Sequence, residues 1–400
     1  MASSTLDPAR RGSGLAQRIL LATPPGRDRA VDALRAFAVL GVVLGHWLVT
    51  ALVADGGGVH STSPLAYVPG LAPVSWVFQT LAVFFLVGGL VGAKGYASAR
   101  ARGTAYGQWL GARLKRLFRP VAAVLAVWAA VAGVLLASGV APGTVRTLVS
   151  LVCSPLWFLL VFAALTAMTP LAARIRPWWP LAAVALVDLV RFGAGGPAWL
   201  GWANVAAGWL VPYCLGAARA QGRLQSRGTG WALLAGGALS AALLVVFAGY
   251  PASMVGVPGA AVSNLSPPTL AAVAFGLAQC GAALLLLGPL RRVLRRPAAW
   301  AAVAVVNLFA MTVFLWHQTS MMAVTMAGLL TGAHLPGLHT VPDGPLWLVA
   351  RLAWLPVFGA ALLGCWALFR RFEHGRPRGR GRSRVVREHR PAPVAAARRP

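Results

Sequence analysis

Seven stretches of this chain run on without a single aspartate, glutamate, lysine or arginine: Ala36–Ala54, Gly56–Ala93, Pro120–Val145, Thr147–Ala173, Phe192–Ala218, Gly228–Leu290 and Pro297–Pro342. No other feature constrains the fold as much. A helix needs about 20 apolar residues to cross a bilayer, and inside the hydrocarbon each backbone polar group must be satisfied by the segment itself. Runs of this kind therefore read as spanning helices. The longest ones must hold two, split where proline and glycine gather, as between Gly249-Tyr250-Pro251 and Ser266-Pro267-Pro268. Charged residues make up only 11% of the chain, against roughly 25% in soluble domains. Together with a mean hydropathy of +0.70, that excludes an ordinary soluble enzyme and a disordered protein.

The pattern predicts an all-α polytopic membrane protein of about ten transmembrane helices, over roughly 31–53, 74–94, 119–139, 154–173, 178–192, 199–218, 230–250, 269–289, 299–330 and 345–369. The fifth is short and carries Asp188 and Arg191; the ninth is overlong, implying a tilt or an outer extension. The 36 Lys+Arg against 8 Asp+Glu give a net charge of +28, which by itself suits nucleic acid or a membrane surface. Their placement decides for the membrane. With both termini in the cytoplasm, every basic residue except Arg146, Arg191 and Arg351 falls on the cytoplasmic side. No nucleic-acid partner is expected. Residues 1–28 read as a cytoplasmic tail, 29–371 as the membrane domain, and 372–400 as a basic, Arg/Pro/Ala-rich cytoplasmic tail of disordered composition. Arg10-Arg11 is followed by no apolar stretch of signal length before Pro24-Pro25, so no twin-arginine signal is expected. Cys153, Cys214, Cys280 and Cys365 have no metal or disulfide spacing, and no metal site is expected. The Ala/Gly/Arg/Pro-rich usage fits a high-GC bacterial genome, hence a multi-pass protein of a bacterial plasma membrane.

Ionisable residues inside a span are costly and mark function. The first helix has three: Asp32, Arg35 and His46. Arg35 and His46 are eleven residues apart, close to three whole turns, so they share a face with roughly 16 Å between them along the axis. Asp32, three residues before Arg35, can pair with it. An imidazole gains nothing from apolar burial, and it suits proton transfer near neutrality.

The segment from Arg29 to His46, with its Asp32-Ala-Leu-Arg35 lead-in and ten residues between Arg35 and His46, resembles the first helix of the acyltransferase 3 family of integral membrane acyltransferases. Further similarities follow in family order. Phe84-Phe85-Leu86-Val87-Gly88-Gly89 is similar to the family's Phe-Phe-x-x-Ser-Gly, with Gly88 in place of the serine. Arg113-Leu-Lys-Arg116-Leu-Phe-Arg119-Pro120 is similar to its Arg-x-x-Arg, and two registers fit, Arg113/Arg116 and Arg116/Arg119. Ser154-Pro155-Leu156-Trp157-Phe158-Leu159 resembles Pro-x-Trp-[Phe/Tyr]-Leu, and Phe314-Leu315-Trp316-His317 resembles Tyr-Leu-x-His. The resemblance runs from about Arg29 to Arg371. Too few residues follow for the C-terminal hydrolase-like domain common in the family, so none is expected.

The resemblance implies transfer of an acyl group, acetyl by default, from a cytoplasmic acyl-CoA to a hydroxyl of a glycan, lipid or secondary metabolite of the envelope or for export. Acyl-CoA would be a co-substrate, with no bound cofactor. His46 would act as general base or through an acyl-His; Arg35 would orient the donor or stabilise charge, held by Asp32. Arg113, Arg116 and Arg119 are candidates for the donor's phosphates. Trp157 and His317 are candidate pocket residues. A multi-pass transporter or exporter is the rival reading, although proton-coupled carriers usually bury acids, and Asp188 is the one mid-span acid here.

Overall fold

The computed structural model describes residues 14–56 and 58–373. Arg10-Arg11 and the tail beyond Glu373 lie outside the described residues. Among the described residues, twelve helices longer than three turns or close to it build the bundle: α1 Arg29–Val49, α2 Leu81–Ala101, α3 Tyr106–Ala137, α4 Pro142–Cys153, α5 Leu156–Ala167, α6 Trp178–Asp188, α7 Ala203–Ala220, α8 Arg227–Phe247, α9 Leu270–Val293, α10 Pro297–Leu308, α11 Ala310–Leu330 and α12 Pro345–Glu373. A short helix over Leu15–Leu21 precedes them and packs on α10.

Among the described residues, eight helical segments are long and apolar enough to cross a membrane. The expected spans over 178–192 and 199–218 are present as shorter helices, α6 of 11 residues and α7 of 18. Three other expectations are redrawn. The expected helix 299–330 is two helices, broken where Phe309 leaves helical geometry with φ −113 and ψ 11. The break has a polar cause: the Asn307 amide donates to Val303 O at 3.0 Å and to Asp32 O on α1 at 2.7 Å. The expected helix 74–94 is interrupted at Gln79-Thr80, where the Thr80 hydroxyl donates to Ala38 O at 2.8 Å. And the fold is not wholly helical. A hairpin, β1 Ala51–Asp55 against β2 Gly58–Thr62, follows α1 directly, with Ala51 opposite Thr62.

Small residues set the closest helix pairs. A Cβ on Gly89 of α2 would lie 2.8 Å from the Tyr213 carbonyl carbon of α7, and one on Gly216 would lie 2.7 Å from Leu90 N. Such contacts let backbones approach where no apolar driving force separates helix from lipid. The approach brings Phe85 of α2 onto Trp209 of α7 as a stack with centroids 5.1 Å apart, and Phe158 of α5 joins at 5.2 Å from Phe85.

Arg351 ties the last helix to the first. Its guanidinium, 1% exposed, donates to Trp47 O at 2.7 Å, Thr50 O at 2.6 Å and Gly337 O at 2.9 Å. It lies 4.7 Å from the Phe358 ring centroid. The carbonyls of Trp47 and of the capping residue Thr50 lie at the end of α1, where intrahelical donors run out. Asp188 is a second buried junction. It accepts from Asn204 at 2.9 Å, from Tyr250 Oη at 3.1 Å and from Leu270 N at 2.7 Å, with Arg191 at 3.7 Å.

Candidate functional site

α1 presents its polar residues at two levels. At its start Asp28 caps the helix, accepting from Ala30 N at 3.2 Å, and pairs with Arg291 of α9 at 2.6 Å. One turn on, Asp32 lies 2.5 Å from Arg27 and 3.4 Å from Arg35. The Arg35 Nε donates to Asn307 Oδ1 at 2.5 Å. Asn307 thus receives Arg35 and donates to the Asp32 carbonyl, which fixes this basic end of α1 against the broken helix.

Three turns further along, His46 faces a cavity of about 370 Å³. The bent segment before α2 forms one wall with Phe78, Gln79 and Thr80. Trp157 and Phe158 at the start of α5 form another, and Phe314 and Gln318 of α11 a third. Ser61 and Thr62 of the hairpin, Ser63 just after it, and Val255, Gly256, Pro258 and Leu265 of the loop before α9 close the end away from Arg35. Gly45, next to His46, is small for a reason: a Cβ there would meet Phe78 Cβ at 3.1 Å. None of the lining residues is an aspartate, glutamate, lysine or arginine.

The His46 Nδ1 lies 3.2 Å from the Gln318 amide nitrogen, and its ring centroid is 5.1 Å from that of His317. His317 is fully buried, behind the cavity rather than on its wall. Its Nδ1 is 2.6 Å from Phe314 O, so Nδ1 carries the proton and donates; its Nε2 has no hydrogen-bond partner.

Arg35 does not line the His46 cavity; an eleven-residue rise of roughly 16 Å separates them. Arg113, Arg116 and Arg119 do not line it either; they lie in the N-terminal half of α3. Arg113 folds over the Trp109 ring at 4.9 Å and reaches Val91 O at 3.4 Å, a close approach that Gly95 permits. Arg116 and Arg119 are exposed. Nearby, Lys94, Arg100 and Arg174 line a separate recess of about 800 Å³. The structure therefore gathers His46, Trp157 and, in the layer behind, His317 at one level, and the predicted cations at another.

The family model for an acyltransferase domain matches residues 28–370. The chain belongs to the acyltransferase 3 family. No curated protein and no solved structure gives a significant match. The match covers the whole bundle from the cap of α1 to the last turns of α12, so the His46 cavity and the Arg35 cluster lie within one membrane acyltransferase domain.

In this acyltransferase the Gly88-Gly89 pair, where the family motif has a serine first, serves close packing. A Cβ on Gly88 would come 2.5 Å from Phe162 Cε2. Sequence reasoning missed Gln318, Asn307 and Arg351 as partners of α1. For Gln318 a signal existed: it is a second polar residue beside His317 inside an apolar run, the same criterion that singled out His46. Asn307 and Arg351 each donate to a backbone carbonyl of α1 more than 250 residues away, which no local pattern encodes.

Proposed function

We propose that this membrane acyltransferase moves an acyl group, acetyl by default, from a cytoplasmic acyl-CoA to an uncharged hydroxyl on a glycan, lipid or other envelope or exported molecule. The observation that carries the reading is His46 at the wall of a cavity lined by no charged side chain. A neutral lining favours a neutral reacting end on the acceptor, since an unpaired charge there would lose its hydration without compensation. In this reading the end carrying Arg29, Arg35, Arg116 and Arg291 faces the cytoplasm, the hairpin end faces out, and the chain crosses ten times with α6 and α7 as two of the passes.

The steps follow from general acid–base chemistry. His46 takes the proton of the acceptor hydroxyl as its oxygen attacks the thioester carbonyl. The tetrahedral adduct collapses, the C–S bond breaks, and the imidazolium returns the proton to the leaving thiolate. Trp157 walls the reacting centre with an apolar face. Arg35, held by Asp32 and Asn307, meets the polar arm of the donor between the surface and His46 in this reading. Arg116 and Arg119 are exposed and can bind phosphate, as can Lys94, Arg100 and Arg174 around their own recess; Arg113 is turned inward onto Trp109.

Membranes containing the protein, given radiolabelled acetyl-CoA and native envelope extract, should incorporate label. His46→Ala, at equal protein level, should abolish it, a loss on the order of 10²–10⁴-fold for removal of a general base. Incorporation unchanged by His46→Ala would remove His46 from the mechanism. Vesicle flux of a small molecule without label transfer would replace the enzyme reading with the exporter one.

A further inference from the structure

A neutral imidazole carries its proton on one nitrogen only. To take a proton through Nε2, His46 must hold its own proton on Nδ1, and that N–H needs an acceptor. The group facing Nδ1 is the side-chain amide of Gln318, 3.2 Å away. Gln318 is 1% exposed and sits on α11 beside the fully buried His317, so it is held rather than free to swing. The amide oxygen has no hydrogen-bond partner while the amide nitrogen faces the ring. A half-turn of the amide plane exchanges the two atoms without moving the backbone. Either orientation leaves one amide atom without a protein partner, so hydrogen-bond satisfaction does not choose between them. The chemistry does: nitrogen toward the ring donates to the Nδ1 lone pair and leaves the proton on Nε2, which then cannot act as base, whereas oxygen toward the ring holds the proton on Nδ1 and frees the Nε2 lone pair.

We propose that Gln318 is the positioning residue that sets the tautomer of His46, its amide oxygen accepting the Nδ1–H so that Nε2 presents a lone pair to the cavity. This rests on the reading of His46 as general base. The same arrangement serves the return step, because the proton enters and leaves through Nε2 while the Nδ1–H stays on the amide. It also prevents the ring from turning about its Cβ–Cγ bond. Gln318 touches the reaction only through His46.

The test is the nitrogen-15 spectrum of histidine-labelled full-length protein in lipid nanodiscs, with the His46 signals assigned by their loss in His46→Gln. Protonated and bare ring nitrogens are well separated in such spectra, so the tautomer is read without any substrate. Expected is an Nδ1–H tautomer in the wild type, its replacement by Nε2–H or a mixture in Gln318→Leu, and its retention in Gln318→Glu, whose carboxylate also accepts. In acyl transfer, Gln318→Leu should lower kcat by about 10²-fold or more with KM little changed, and Gln318→Glu should recover part of the loss. An Nε2–H tautomer in the wild type overturns the proposal, and this needs no variant to fold. An Nδ1–H tautomer that persists in Gln318→Leu overturns it too. A tautomer that follows Gln318 as stated, in a protein that transfers no acyl group, supports the hydrogen-bond assignment and sinks the functional reading alone.

Discussion

Replacing Gly89 with alanine tests whether the backbone contact of α2 with α7 shapes the cavity. The added Cβ would lie 2.8 Å from the Tyr213 carbonyl carbon and nearer still to its oxygen. Carbon contacts settle at about 3.5–4.0 Å, so the helices must part by at least about 0.7 Å, and a gap of that size forfeits roughly a quarter to a half of the dispersion energy along the seam. Overpacking of this kind costs about 1–3 kcal/mol, and contact with rigid backbone places Gly89→Ala at the upper end. The gain from replacing a mid-helix glycine is roughly 0.5–1 kcal/mol, leaving a net loss of about 2 kcal/mol. Gly236 on α8 is the control, because a Cβ there meets nothing within 4 Å; Gly236→Ala should be neutral or slightly stabilising. The assay is the thermal unfolding midpoint in nanodiscs, followed by acyl transfer at a temperature where each variant is folded. Moving α7 displaces Trp209, which stacks on Phe85 and lies 6.5 Å from Trp157 at the cavity wall, so transfer should fall even in folded protein. A Gly89→Ala midpoint at or above that of Gly236→Ala would refute the reasoning.

Other outcomes follow from the ends of α1. Burial works against the Asp28 carboxylate, but the hydrogen bond and charge of Arg291, with the Ala30 N–H, outweigh it and hold its pKa below the usual 3.8. A depressed carboxylate stabilises the fold above the unfolded-state pKa and loses that contribution as pH falls through the folded-state value. Asparagine remains a good cap, so Asp28→Asn should lower the thermal midpoint near neutral pH, with a deficit that shrinks below about pH 4. A deficit independent of pH would exclude the charge as its cause. Arg351→Lys keeps the charge but loses the fork that reaches three carbonyls; two lost bonds at about 1.5 kcal/mol each predict a loss of about 3 kcal/mol in unfolding measurements. Asn307→Leu should lower acyl transfer through Arg35 and leave the His46 tautomer untouched, which activity and nitrogen-15 spectra read separately.

The parts visible in the sequence were those with a local physical signature. His46 stands out because an imidazole interrupts an apolar helix, and the Asp32–Arg35 proximity because i,i+3 residues are neighbours. Trp157 emerged from its motif, and it does border the cavity. The spans were visible as uncharged runs, but their interruptions were not. Gln79-Thr80 and Asn307-Phe309 contain neither proline nor glycine; side-chain bonds to a neighbouring helix break them. The hairpin after α1 was hidden because Ala51–Asp55 reads as the end of an apolar helix until Arg351 caps Thr50 and ends it. The three arginines of α3 differ in a way the spacing did not show. Three basic residues at similar spacing look equivalent in sequence, yet Trp109 and Gly95 draw Arg113 inward while Arg116 and Arg119 stay exposed.

The guanidinium of Arg351 also bears on how the protein is made. Helices enter the bilayer in order of synthesis, and an arginine in an isolated helix disfavours insertion by up to about 2.5–3.5 kcal/mol at mid-membrane and less toward the ends. Two of the three carbonyls that shelter Arg351, those of Trp47 and Thr50, belong to the end of the first helix and its cap, which is synthesised before the last. Biogenesis thus closes a ring: α12 is apolar enough to span by itself, and docking against α1 removes the cost that Arg351 adds. A chain whose first helix was misplaced would leave an unsheltered cation in its last.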